Sequence, residues 1–349
     1  MNGTRKKLKK IILALCLTAL PPLAAFAQTV PPATPGKPGV GVKVTPAVKV
    51  FKPRGKVFKS EHQDSEKSIA VDGKVNVYLP CVIEGNVKIN GWDRSEVRVF
   101  VKDGSRVGIN VAQKDKKTGN PVWIVVTRAE PSENEREQSE CIYGEEIEID
   151  VPRMASINVK GQETITRINS VRKASVKNIG GDISLRNIAE GVEATTYEGD
   201  VTVEDSSGAF NLESATGNIV AFEIAPSEIG DVFKAKTNNG AISLQSLEHR
   251  QIEVNSISGA ISFNGEFLSG GLYNFGTSNG LINLTIPADS SCKIAASYGF
   301  GGFRSEIPVT KVTENKYPGG QNIVATMGKG TATLNLTTAS GAIRIVKKQ

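Results

Sequence analysis

Hydrophobic residues in this chain alternate with polar ones in short runs, and the period is two almost throughout. Between residues 60 and 160 the runs are Val75, Val77 and Leu79, then Val87 and Ile89, then Val97, Val99 and Val101, then Val107, Ile109 and Val111. Val122 to Val126 is a continuous apolar run, and Ile147, Ile149 and Val151 alternate again. Period two over four to six residues predicts half-exposed strands. No segment carries a long apolar stripe of period 3.6, so no long helix is expected. The acidic, polar stretch Glu130 to Glu140, with Pro131, predicts a surface loop.

From about residue 170 the chain repeats. The reference position is the glycine of a Gly-x-[Ile/Val]-x-apolar element: Gly181, Gly199, Gly217, Gly240, Gly259, Gly280 and Gly341. The first six are spaced 18, 18, 23, 19 and 21 residues apart. Gly301 follows with a degraded pattern, and Gly341 lies 40 residues beyond it, about two periods. Apolar residues recur two and four positions after each glycine (Ile183 and Leu185 in the first copy) and five and seven positions before it (Val176 and Ala174). Three positions before stands a small hydroxyl or amide residue every time: Asn178, Thr196, Ser214, Thr237, Ser256, Thr277 and Thr338.

These columns describe a strand, a tight turn at glycine, and a second strand, with the apolar columns on one face. Glycine at the corner admits backbone angles that other residues resist. The hydroxyl or amide column falls in phase with the inward face, where it can satisfy turn backbone groups or stack on its equivalent in the next coil. One repeat cannot stand alone. Burying four apolar side chains gains about 6–12 kcal/mol, whereas ordering the repeat costs about 20–40 kcal/mol of backbone entropy. Stacked coils share faces and hydrogen bonds, so the array folds as a unit. The fold class expected is all-β, a β-solenoid-like array of two-strand repeats preceded by a smaller β region.

Composition adds a compartment. Residues 1–27 read as a signal peptide: Arg5, Lys6, Lys7, Lys9 and Lys10, an apolar stretch Ile11 to Leu20, and an Ala25-Phe26-Ala27 cleavage site that would leave Gln28 first. The apolar stretch is too short to span a bilayer, and Leu15 before Cys16 does not suit a lipoprotein signal. Residues 28–56 form a Pro-rich basic linker with six prolines, six cations and no acid. Cleavage takes the formal net charge from +6 to +1, and 57–349 alone is about −5, so the folded part lacks the basic face that nucleic-acid binding needs. The expected organisation is 1–27 leader, 28–56 linker, 57–160 N-terminal β region and 161–349 repeat array, with no transmembrane span after cleavage and an exported location: periplasmic, cell-surface or secreted. An exported compartment permits disulfides. Cys81–Cys141 is the candidate pair, leaving Cys292 unpaired; buried apolar cysteines are the alternative.

The stretch Gly85-Asn86-Val87-Lys88-Ile89-Asn90-Gly91-Trp92-Asp93, followed by Glu96-Val97-Arg98-Val99, resembles the opening of a family of exported bacterial β-strand-repeat proteins of unknown function, often labelled putative adhesin. The Val151-Pro152 step and the recurring Ser/Thr-x-x-Gly-Asp/Asn-Ile elements are similar to it too. The resemblance covers about 65–345. It departs where Asp after glycine survives only at Asp182 and Asp200, giving way to Asn218, Ala241, Ala260 and Leu281. It implies the fold and an envelope location, and it supplies no active site.

Candidate chemistry is sparse. Two histidines, His62 and His249, cannot build a His-rich metal site, and both are expected at the surface. Gly180-Gly181-Asp182 has the wrong period for a calcium-binding β-roll. Glu193, Asp200, Glu204, Asp205 and Glu213 fall in adjacent coils, where a β-helical polysaccharide enzyme would place carboxylates; solvated surface charges are the plainer account. Tyr273 and Phe275 occupy inward columns. Trp92, Tyr298, Phe300, Phe303 and Arg304 are the candidate contacts for a ligand or partner. No cofactor and no catalytic or metal residues are expected. The leading expectation is a non-enzymatic envelope or surface protein that presents a repetitive face for adhesion or scaffolding, with an envelope glycan or protein as partner. An envelope-stress component docking a membrane sensor and a polysaccharide-active enzyme are the alternatives. Edge strands at the array ends offer a route to self-association.

Overall fold

Alternation of apolar and polar residues produces strands from one end of the folded region to the other. The computed structural model describes residues 63–129 and 140–349. The leader, the linker, His62 and most of the acidic stretch after Ala129 lie outside the described residues. In chain order the strands are β1 (Gln63–Ala70), β2 (Asn76–Trp92), β3 (Glu96–Gly104), β4 (Val107–Lys114), β5 (Pro121–Arg128), β6 (Glu146–Pro152), β7 (Ser156–Val171), β8 (Lys173–Gly180), β9 (Ile183–Ile188), β10 (Val192–Glu198), β11 (Val201–Ser207), β12 (Phe210–Thr216), β13 (Ile219–Ala225), β14 (Val232–Asn239), β15 (Ile242–Leu247), β16 (Gln251–Ser258), β17 (Ile261–Asn264), β18 (Leu272–Asn279), β19 (Ile282–Ile286), β20 (Cys292–Phe300), β21 (Phe303–Ser305), β22 (Thr310–Tyr317), β23 (Gly320–Met327), β24 (Ala332–Ser340) and β25 (Ile343–Lys347). No helix occurs among the described residues.

Each coil contributes one strand to each of two ladders. The first ladder runs β4-β5-β2-β7-β8-β10-β12-β14-β16-β18-β24-β20-β23-β22. The second runs β1-β3-β6-β2-β7-β9-β11-β13-β15-β17-β19-β25-β21. The long strands β2 and β7 pass through both, so the ladders are two walls of one β-solenoid-like sheet. The 160/161 boundary drawn from the pattern falls inside β7, and the described residues from Gln63 to Gln349 belong to one compact unit. Inward residues of both walls build the core, including Tyr273, Phe210, Phe233, Phe263 and Phe275.

The corner explains two sequence columns at once. A Cβ added at Gly199, Gly217, Gly240, Gly259, Gly280 or Gly341 would lie 1.9–2.4 Å from the carbonyl oxygen of the corner glycine one rung below. Close approach of backbone to backbone is therefore the requirement that these glycines share. Left-handed φ is not, because Gly240, Gly259 and Gly280 are absent from the positive-φ set that contains Gly181 (95°) and Gly199 (140°). The same carbonyls accept the hydroxyl column. Ser214 donates to Gly199 at 2.9 Å, Thr237 to Gly217 at 2.9 Å, Ser256 to Gly240 at 3.1 Å, Thr277 to Gly259 at 3.0 Å and Thr338 to Gly280 at 3.2 Å. Buried carbonyls at a corner lie outside the strand ladders, and these side chains satisfy them.

Stack order departs from chain order at the far end. The last coil, β24 and β25, sits between the β18–β19 coil and the β20–β21 coil. A Cβ at Gly301 would accordingly strike the Gly341 carbonyl at 1.9 Å. The pattern is degraded around Gly301 because that coil is the end rung of the second wall, not an interior one. The hairpin β22–β23 then covers β20 on the first wall. All four edge strands are blunted. β21 has three residues, β22 carries Lys311, Glu314 and Lys316, β4 has register shifts between Val111 and Lys114, and β1 carries Asp64, Glu66 and Lys67. Such devices work against edge-to-edge pairing, the route to self-association raised by the sequence.

Candidate functional site

Two kinds of surface emerge from this construction: the isolated aromatic and charged residues singled out by sequence, and the outer face of the first wall. The aromatics do not converge. Trp92 ends β2 near the start of the second wall, whereas β21 with Phe303 and Arg304 closes its other end. Trp92 is half-buried in its own turn. Its Nε1 donates to the Glu96 carbonyl at 2.8 Å, and the Arg94 and Arg98 guanidiniums lie 4.9 and 5.9 Å from its ring. Tyr298 is only 7% exposed. It occupies the inward hydroxyl column beside Thr338, so it fills the end of the core and is not a free contact. Phe303 is half-buried and packs on the core, while Phe300 and Arg304 are exposed.

The candidate carboxylates spread over different parts of the coil. Glu193 lies on the outside of the first wall, held below the usual carboxylate range by its hydrogen bond to Lys177, 3.0 Å away. Asp182, Asp200 and Asn218 stack at the corner, and each accepts from the backbone N–H of the next rung: Asp200, Asn218 and Ala241, at 2.9, 2.7 and 2.9 Å. The polar residue after glycine is thus a rung cap. Glu204 and Asp205 face Arg186 across the second wall at 3.4 and 3.0 Å. Asp205 shares a hydrogen bond with Glu223 on the next rung, which lowers Asp205 and raises Glu223.

Asp205 also belongs to a column that sequence reading missed. Ser170, Asn187, Asp205, Glu223 and Ser246 all adopt left-handed φ, between 48° and 58°, and bend the second wall. The signal was present: the sixth residue after four successive corner glycines is Asn, Asp, Glu and Ser, and Asn and Asp are the residues that best tolerate this region after glycine.

On the outside of the first wall, parallel register lines up three columns of outward side chains. One runs Lys177, Thr195, Glu213, Lys236, Asn255, Gly276 and Thr337. A second runs Ser175, Glu193, Asn211, Lys234, Glu253, Asn274 and Asn335. Beside the corner the third holds Ile179, Tyr197 and Ile257, which are 58%, 62% and 50% exposed. Backbone groups here are used up in the ladder, so the face offers side chains alone.

The matching family decides the relationship. Toastrack DUF4097 matches residues 83–346. This chain belongs to the Toastrack family. The matched span opens inside β2 and closes inside β25, so it takes in the coil that is last in sequence but interior in space. No curated protein matches. Three solved structures are similar. They are a putative adhesin from Parabacteroides distasonis (10% identity, 82% of this chain and 98% of that one, TM-score 0.33), a putative adhesin from Parabacteroides merdae (10%, 82% and 97%, 0.30) and a putative cell adhesion protein from Clostridium sporogenes (13%, 82% and 100%, 0.21). None reaches an identity or a TM-score at which function transfers.

One further residue of this Toastrack chain corrects the sequence reading. His249 was expected at the surface and is fully buried. The loop Pro226–Asp231 swings outward, and His249 from the following coil reaches under it. Its Nε2 donates to the Gly208 carbonyl at 2.7 Å, between the rings of Phe210 and Phe233, and Nδ1 has no partner among the described residues. Burial lowers its pKa, opposed by the Gly208 hydrogen bond and by Asp231 and Glu248. A depressed histidine stabilises the fold fully above the unfolded value of about 6.5, and that contribution is lost as pH falls below it. The melting temperature should therefore drop from pH 6.5 to 5, and His249→Gln, which keeps a donor, should flatten that part of the profile. An unchanged slope in His249→Gln would remove the assignment.

Proposed function

We propose that this chain is a non-enzymatic, exported envelope or surface protein that presents the outer face of its first wall for adhesion. The observation that carries this reading is the continuous in-register face itself. Seven or more rungs repeat the same outward positions, while the carboxylates that a polysaccharide enzyme would need are divided among wall, corner and bend. Exposed side chains aligned over many rungs suit a ligand that is extended and repetitive. Export rests on the leader-like residues 1–27 and on the Cys81–Cys141 bond, which an oxidising compartment favours. No helix among the described residues is long and apolar enough to cross a membrane.

Purified 28–349 and 57–349 should both bind isolated envelope or wall polymer, saturably and in high salt. Binding by the longer form alone, lost as salt rises, would reduce the interaction to the basic linker. Retention of neither form would overturn the adhesion reading and turn attention to a protein partner.

A further inference from the structure

Along the first wall the middle outward column contains one residue without a side chain. Gly276 pairs with Asn255 on one neighbouring rung and Thr337 on the other. It lines a cavity of about 490 Å³ on the outer face, into which the Asn255 side chain leans. The Asn274–Asn335 pair bounds one side, joined by a 2.7 Å hydrogen bond from Asn335 Nδ2 to Asn274 Oδ1, and Ile257 stands on the other. A second cavity of about 230 Å³ shares Lys236 with the first and continues to Thr195 and Tyr197. Together they form a trough that crosses the strands and follows the solenoid axis.

We propose that this trough binds a linear, uncharged polysaccharide lying along the axis. This rests on the adhesion reading above and names its ligand and site. Five features of the trough select the ligand. A peptide cannot add as a strand here, because the backbone groups beneath are already paired within the wall. The larger cavity combines amides and hydroxyls with Ile257 and Phe275 and has Lys236 as its one charged residue, while the second adds a single acid, Glu213, the rung neighbour of Lys236, so the trough matches neutral hydroxyl groups and sugar C–H faces better than ionised groups. Among the described residues Asn255, Ser278 and Thr337 spend no side-chain hydrogen bond inside the protein, which leaves donors and acceptors for a ligand. Rungs recur about every 4.8 Å, close to the advance of one unit in an extended β-linked sugar chain, so successive units can meet equivalent groups. Tyr197, 62% exposed at the end of the trough, offers a ring face for a sugar to stack on.

The test is calorimetric titration of the purified protein with neutral glucan oligomers of two and six units, β-1,4-, β-1,3- and α-1,4-linked, and with a hexameric polyuronate. At least one neutral hexamer should bind ten or more times tighter than its dimer and than the polyuronate. Gly276→Val should cut that affinity at least tenfold. The valine fits a strand, and its Cβ meets only the Asn255 side chain, at 2.7 Å, so melting temperature should hold or rise. Tyr197→Ala should weaken binding several-fold. Failure of every neutral hexamer, preference for the polyuronate, or undiminished binding by a folded Gly276→Val protein overturns the trough. If Gly276→Val still binds wall polymer in high salt, adhesion stands and this site falls. If wild type binds neither wall polymer nor glucans, both fall.

Discussion

Gly240→Ala should lower the unfolding free energy by about 3 kcal/mol, the upper end of ordinary overpacking costs. The new methyl would sit 2.0 Å from the Gly217 carbonyl oxygen, 2.6 Å from its carbon and 3.2 Å from the Asn218 nitrogen. All three are backbone atoms, so no side-chain rotation relieves the clash. Gly240 is outside the left-handed region, so alanine suffers no dihedral penalty there and the result isolates close approach. The substitution also pushes on the carbonyl that accepts from Thr237. Gly73→Ala, where an added Cβ meets nothing within 4 Å, is the control and should leave stability unchanged or slightly raised. Urea midpoints of the two variants decide the matter. A cost below about 1 kcal/mol at Gly240 would mean that the rungs can shift apart, and close approach would no longer account for the glycine column.

Replacing Cys81 and Cys141 together by serine should cost about 2–4 kcal/mol. The bond joins the middle of β2 to the segment that precedes β6, across a sequence separation of 60. Around it the chain is held by few pairings. Ile142 N–H donates to the Cys81 carbonyl at 3.0 Å and Ile83 N–H to the Ile142 carbonyl at 2.9 Å. Freeing a loop of that length raises the entropy of the unfolded chain, and the effect should appear as a lower urea midpoint with or without reductant. Wild type should lose the same amount when reduced. Thiol labelling of unfolded, unreduced 28–349 should find one reactive cysteine, Cys292. Burial pushes its thiol up to about 11 in the folded protein, so it should label slowly before unfolding. Three reactive thiols would show that the bond does not form.

Much of the coil was legible because each column answers a local physical demand. Inward apolar residues, corner glycines and the hydroxyl column were readable at fixed offsets, and the structure supplies a reason for each. Corner glycines turned out to answer to the rung below more than to their own dihedral angles, which a single sequence cannot reveal. Stack order was illegible for a related reason: sequence periodicity counts coils along the chain, whereas β24 and β25 pair with coils on either side that are not their sequence neighbours. Tyr298 looked free because its repeat was degraded, yet a ring in the hydroxyl column is what an end rung can house. His249 was hidden because the outward loop that makes room for it belongs to another coil. The trough was equally invisible, since it brings Gly276 together with residues 21 and 61 positions away.

The interior seat of the last coil sets a rule for how such a molecule can change in length. Whole coils added after β25 would meet a strand whose two neighbours are already taken. Growth or loss has to occur between the caps, by units that begin and end at equivalent corner positions, such as 218–240. Both ends then stay as they are while the span between them varies in steps of one rung, about 4.8 Å each. The protein is in this sense a gauge with fixed jaws, and the number of coils between Gly181 and Gly280 sets the length of the outer face between them.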